Sequence, residues 1–253
     1  MGSLTGISLF SGIGGIDLGL RLAWPDYRTV CYVERDTYCQ QVLQARIRDG
    51  YLDDAPIWDD VTTFDGRPWS GRVDCIAGGV PCQDLSCAGK RAGLEGERSG
   101  LWWEFARIIG EVGPRLALLE NVPGIRRYLR PIVSELRRLG YAVPGKAVAA
   151  AAVLGAGHIR RRAFILAVRC DCSPIPANTN TYDQWGEQRR KQRQNRGIQA
   201  ERVSDTQRLS WRTMPSRLLR LADGCPNRLD RLRALGNAVV PAVVRAFLRS
   251  IGA

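Results

Sequence analysis

The 253-residue sequence contains a single histidine, His158, with no potential metal ligand at a useful spacing around it. Zinc sites are built from Cys or His pairs. Cys170-Asp171-Cys172 offers half of such a set and no second pair follows, so no metal is expected. No apolar run is long enough to cross a membrane, and no signal peptide opens the chain. The eight cysteines are too scattered for a small disulfide scaffold, so a reducing, cytoplasmic setting is the expectation. Internal repeats are absent. The first glycine-rich turn also lacks the spacing of the pyrophosphate-binding fingerprint, which favours a nucleotide cofactor without a pyrophosphate.

What the chain has in excess is positive charge, formally +12. Residues 1–125 mix both signs, whereas arginines crowd the stretch Arg126 to Arg138 and recur from Arg160 onward. Such an excess points to a polyanionic partner, most simply nucleic acid, although a solvated basic face has the same composition. The length suits one sizeable domain with at most a smaller appendage.

Periodicity supplies the frame. Gly6 to Phe10 reads as a buried strand, Ser11-Gly12-Ile13-Gly14-Gly15 as a tight turn, and Ile16, Leu18, Leu20 and Leu22 as a helix. Strand, glycine turn and helix bring a cofactor against bare backbone at a sheet's carboxyl edge. Thr29 to Val33 is a second strand ending at Glu34, and Asp60 lies at another strand-to-loop junction. An acid about twenty residues beyond such a turn is where a ribose hydroxyl pair would be held, though a helix cap or surface charge is the plainer alternative. Leu101, Trp102, Phe105, Ile108, Ile109 and Val112 share one helical face, and Leu116 to Leu119 is a strand delivering Glu120-Asn121-Val122. An amphipathic helix over 129–139 and strands over 143–153 and 163–168 follow. The alternation predicts a doubly wound α/β sheet with its site along one edge. From Ser173 to Leu209 the chain turns polar and basic, which predicts an irregular insert, and order returns with Leu232, Leu235, Gly236-Asn237-Ala238-Val239 and a final helix through Val243 to Leu248.

Within this frame one stretch stands apart. The strand Cys75-Ile76-Ala77 leads through Gly78, Gly79, Val80 and Pro81 to Cys82, followed by Gln83 and a loop of small residues. Free cysteines are more often small buried hydrophobes, but a thiol on a loop at a strand's end is placed for nucleophilic chemistry.

Taken in order, Phe10-Ser11-Gly12-Ile13-Gly14-Gly15, Glu34, Asp60, Pro81-Cys82-Gln83, Glu120-Asn121-Val122, Arg160 with Arg162, and Gly236-Asn237-Ala238-Val239 resemble the DNA (cytosine-5)-methyltransferases of phages and bacterial restriction-modification systems. The resemblance covers residues 5–168 and 226–250. It implies an S-adenosylmethionine-dependent, Rossmann-like sheet. Phe10, Gly12 and Gly14 would line the cofactor's pocket, with Glu34 on the ribose, Asp60 on the adenine amino group, and Asn237 and Val239 at the methionine end. It further implies that Cys82 attacks carbon 6 of a cytosine swung out of duplex DNA, that Glu120 donates toward ring nitrogen 3, and that Arg162 holds the carbonyl oxygen. Arg160 would support the loop, a phosphate or the thiolate, while Gln83, Ser86, Lys90 and Arg98 would meet the DNA.

The implied organisation is a catalytic and cofactor-binding domain over 1–169, a short target-recognition region over 170–231 in which Trp185 and Trp211 could nucleate packing, and a segment over 232–253 returning to the first. A monomer acting on double-stranded DNA, functionally paired with a restriction endonuclease and independent of membranes, is the expectation. Alternatives of other kinds are a cytosine-5 methyltransferase acting on RNA and a non-catalytic DNA-binding relative. The chain departs from the family pattern at His158, where glutamine is usual, at Asp84-Leu85, and in the compactness of its recognition region.

Overall fold

Side chains along the central strands alternate between two buried faces, so the sheet has to be covered on both sides. In the computed structural model, which describes residues 3–81, 100–151, 160–171 and 227–252, the strands are β1 (Thr5–Leu9), β2 (Arg28–Val33), β3 (Ile57–Trp58), β4 (Cys75–Gly79), β5 (Leu116–Asn121), β6 (Tyr141–Ala150) and β7 (Arg161–Arg169). The helices are α1 (Gly15–Ala23), α2 (Thr37–Arg48), α3 (Leu101–Val112), α4 (Leu129–Arg138), α5 (Arg228–Asn237) and α6 (Pro241–Ser250). Ile7, Leu9, Ile76, Ala117, Leu119 and Ile165 face one way, against α3 and α4. Cys75, Ala77, Leu116, Leu118, Phe164 and Leu166 face the other way, against α1 and α6. None of the described helices is long and apolar enough to cross a membrane.

The strand order is β3-β2-β1-β4-β5-β7-β6. From β3 to β5 neighbouring strands are parallel, whereas β7 runs antiparallel to both β5 and β6. This is a doubly wound α/β sheet, and the order reverses between β1 and β4. At such a switch point the loops leaving the two strands diverge and open a crevice at the carboxyl edge. Because β7 runs backwards, it begins at that edge. Glu120 pairs with Phe164 and Asn121 with Ala163, which leaves Arg162 diagonal to Glu120 on the same face.

Several boundaries differ from those read in the sequence. β1 stops at Leu9, because Phe10 takes a φ of 53°, outside the extended region. The helix over Ile16–Leu20 forms, but Leu22 is solvent-exposed. Leu232 and Leu235, where order was expected to return, are 57% and 61% exposed, and Ala234 is the residue that α5 buries. β3 is the short strand behind the junction expected at Asp60, whereas α2 and α5 were not anticipated as elements.

Two details tie the chain's ends to the switch point. Asp17 in α1 is fully buried and accepts hydrogen bonds from Ser8 Oγ at 2.9 Å and Thr29 Oγ1 at 3.0 Å, and burial pushes its carboxyl up to about 6. Beside it, the segment entering α6 packs on α1 so closely that a Cβ on Gly15 would lie 2.4 Å from the Val239 carbonyl oxygen. Backbone cannot swing away as a long side chain can. Gly15→Ala is therefore expected to destabilise the fold by about 1–3 kcal/mol, read as a lower urea midpoint with an unchanged m-value.

Candidate active site

The carboxyl ends of β1, β2, β4 and β5 open into one cleft of about 310 Å³, lined also by the segment after α5. Its floor is the turn after β1. Phe10 and Gly12 both have positive φ, 53° and 55°. For a residue with a Cβ such as Phe10 this costs of order 1–3 kcal/mol. A Cβ placed on Gly12 would meet nothing within 4 Å, so this backbone faces open cleft. Gly14, with φ 80°, caps α1.

Glu34, at the tip of β2, accepts from Gly12 N through one oxygen and from Asp36 N through the other, each at 2.7 Å. Burial raises its pKa, while those backbone donors pull the other way. Two bonds leave a carboxylate with acceptor capacity to spare. Asp60 forms another part of the wall. Its Oδ1 accepts from Thr62 N at 2.9 Å and Thr62 Oγ1 at 2.8 Å, which lower its pKa. Asn237, Ala238 and Val239 close the far side. α5 is held over the opening by an ion pair between Arg233 and Asp36, and Asp36 also caps α2 through Tyr38 N and Cys39 N.

The base of the cleft is acidic and buried. Glu120 is 5% exposed, and burial pushes it up to about 7 against the opposing pull of Arg162 and Arg160. Arg162 Nε lies 2.8 Å from Glu120 Oε1, yet among the described residues no aligned hydrogen bond reaches that oxygen. The contact is Coulombic, and an unsatisfied buried acceptor of this kind is rare enough to mark a site. A Cβ at Gly79 would come within 2.9 Å of Glu120 Oε2, so the bare backbone of β4 makes room for the carboxylate. Asn121 Nδ2 donates to the Val80 carbonyl at 3.2 Å, fixing the backbone that leads to Pro81.

Phe10, Gly12, Glu34, Asp60, Glu120, Arg162, Asn237 and Val239 thus meet in one cleft, with Pro81 on its rim. Gly14 lies just outside the lining and acts through backbone conformation. Arg160 lies just before β7, outside the lining of the cleft. Its Nη2 donates to the carbonyls of Gly236, at 2.7 Å, and Ala238, so it ties β7's start to the C-terminal segment. Cys82, Gln83, Ser86, Lys90, Arg98, His158, Trp185 and Trp211 lie outside the described residues. Of the lesser zinc triplet, Cys170 is exposed and Asp171 accepts from Arg169 Nε at 2.6 Å. The sequence reading missed Arg233, whose partner Asp36 is 197 residues away and carries no local signal. It also missed Asn121's clasp on Val80, although Asn121 sat in a motif already singled out.

Chemically, the cleft offers carboxylates at one end, apolar walls, and a proton-holding acid between guanidinium groups at the other. This suits a polar ligand with hydrogen-bond donors at the Glu34 and Asp60 end, with the open face of Gly12 leaving room for its body.

The sequence matches the family model for C-5 cytosine-specific DNA methylase over residues 4–216. The Type II methyltransferase M.PspPI of Psychrobacter sp. is 36% identical over 174 residues, covering 65% of this chain and 39% of that protein. M.CviJI of Paramecium bursaria Chlorella virus IL3A is 33% identical over 184 residues, covering 70% of this chain and 47% of that protein. The chain spans less than half the length of these two relatives. Among solved structures, Dnmt2 methyltransferase of S. pombe superposes with a TM-score of 0.54 at 21% identity, over 68% of this chain and 52% of that one, a likeness of fold.

Glu120 binds its proton more tightly in the folded chain than in the unfolded one. Its contribution to stability is therefore full below about pH 4.5 and is lost as pH rises toward about 7. Glu120→Gln cannot titrate. Between pH 4.5 and 8 the wild type is expected to lose stability relative to Glu120→Gln by on the order of 3 kcal/mol, measured by urea unfolding at each pH. Parallel curves would mean that Glu120 titrates as an ordinary carboxyl.

Proposed function

Because this chain belongs to the C-5 cytosine-specific DNA methylase family, we propose that it transfers a methyl group to carbon 5 of a cytosine turned out of duplex DNA, through a covalent Cys82 adduct at carbon 6. The observation that carries this reading is Glu120: a buried acid pushed up to about 7, with Arg162 at 2.8 Å, in the cleft whose rim is Pro81, the residue before Cys82.

S-adenosylmethionine, held by Phe10, Gly12, Glu34, Asp60, Asn237 and Val239, would supply the electrophilic methyl group. Carbon 5 of cytosine is a poor nucleophile while the ring is conjugated. Addition of the Cys82 thiolate to carbon 6 breaks that conjugation and makes carbon 5 enamine-like. Negative charge then builds on the ring. Glu120 in its protonated form donates toward ring nitrogen 3, and an acid with a pKa near neutrality is suited to both giving and recovering that proton. Arg162 donates to the ring's carbonyl oxygen. Loss of the proton at carbon 5 expels the thiolate and restores the ring. Arg160 serves by holding Gly236 and Ala238 in place rather than by touching the base.

A base stacked in a duplex exposes no face to a thiol, so extrusion is required, at a cost of a few kcal/mol. Gln83, Ser86, Lys90 and Arg98 contact the DNA around the vacated position, and residues 170–231 read the target. A restriction endonuclease of the same specificity is the functional counterpart.

Incubation with S-adenosylmethionine and duplex DNA, followed by bisulfite sequencing, is expected to map 5-methylcytosine at a defined short sequence. An oligonucleotide with fluorine at carbon 5 of the target cytosine is expected to leave a permanent adduct on Cys82. Cys82→Ser should abolish transfer with DNA binding retained, and Glu120→Gln should lower kcat by about two to four orders of magnitude. Methylation of RNA in place of DNA, or DNA binding without transfer, would replace this reading.

A further inference from the structure

The turn that carries Asp60 is held from outside the cleft by α3. Arg107 Nη2 donates to the carbonyls of Val61 and Phe64, each at 3.1 Å, the two residues whose buried side chains anchor the turn. Its Nε donates to Glu104 at 2.8 Å, and Nη1 reaches both oxygens of Glu111 at 2.8 and 2.9 Å. Glu111 Oε2 in turn accepts from Gly66 N at 2.8 Å. One guanidinium and two carboxylates on successive turns of α3 therefore fix the backbone at positions 61, 64 and 66, next to Asp60 in the cleft wall. By contrast, Asp65 and Arg67 in the same turn pair with each other at its surface.

We infer that Arg107 is a positioning residue for the nucleobase end of the cofactor, setting where Asp60 and Val61 stand in the cleft. The inference rests on the reading above that this cleft takes S-adenosylmethionine with Asp60 at the adenine. Arginine is required because its planar fork reaches two carbonyls and two carboxylates at once. A lysine ammonium has three donors on one atom and cannot span them. The same helix lines the cleft at its first residue, Leu101, so α3 sets two walls of the site.

Titration calorimetry with S-adenosylhomocysteine as the probe tests this on the full chain. Arg107→Met keeps an apolar stem against the helix and is expected to weaken binding about tenfold, the loss corresponding to one charged hydrogen bond's worth of positioning. Arg107→Lys should recover part of that loss. In steady state KM for the cofactor should rise with kcat and DNA affinity little changed. If Arg107 acts through Asp60, Asp60→Asn should weaken binding in the wild type but add little in the Arg107→Met background. Ile108→Val, which trims the core on the same helix, controls for lost stability.

Binding by Arg107→Met equal to wild type, or no weaker than that of Ile108→Val, would overturn the inference. So would full additivity with Asp60→Asn. Wild-type protein that failed to bind the probe would instead remove the reading of the cleft, and this inference with it.

Discussion

The contact on which the rest depends is a backbone one. The segment entering α6 rests on α1 at a separation that admits no Cβ on Gly15 beneath the Val239 carbonyl. Behind it Val243, Val244, Phe247 and Leu248 fill the sheet's second face with Ile16 and Leu20. This closure brings Asn237 and Val239 opposite Phe10 and Gly12. Without it the crevice at the switch point would be a groove with one bank. Hydrophobic burial on one side of the sheet thus builds the polar site at its edge.

Electrostatics then differentiates the two ends of the cleft. At Glu34 and Asp60 the carboxylates are engaged by backbone N–H groups and a hydroxyl, in keeping with a face that accepts donors. At Glu120 no such donors are aligned on Oε1, and burial raises the pKa despite two guanidiniums nearby. Carboxylates in one cleft are thus shifted in opposite directions by their surroundings, Glu120 up by burial and Asp60 down by Thr62, the usual way in which a single fold separates binding from acid chemistry. Arg160 links the two regions, since it reaches the Gly236 and Ala238 carbonyls from the strand that also carries Arg162.

Much of this was legible in the sequence, for definite reasons. Strands such as Leu116–Asn121 are buried on both faces, so they read as continuous apolar runs, and the glycine turn after Leu9 announces backbone that a side chain would obstruct. Phe10, Gly12, Gly14 and Glu34 are legible at short range because each sits at the end of a strand or in a Gly-rich turn. α2 was missed because its apolar face is shallow, with only Cys39 and Leu43 buried. α5 gives no clear signal of its packing either, since it buries Ala234 and leaves Leu229, Leu232 and Leu235 exposed. Arg107, Asn121 and Arg233 act across 41 to 197 residues of chain, and nothing local in a sequence encodes such partners.

The reversal of β7 has its own consequence. Glu120 and Arg162 are diagonal cross-strand neighbours, two rungs apart on one face of a single ladder, so their spacing is fixed by the sheet's own hydrogen bonds and not by any loop. Sliding that ladder by a single residue would turn Arg162 to the opposite side of the sheet and bury it among the aliphatic residues under α3 and α4. The pair therefore doubles as a key for assembling the sheet: a charge that finds its counterpart in one alignment alone penalises every misaligned hairpin while the chain is still folding.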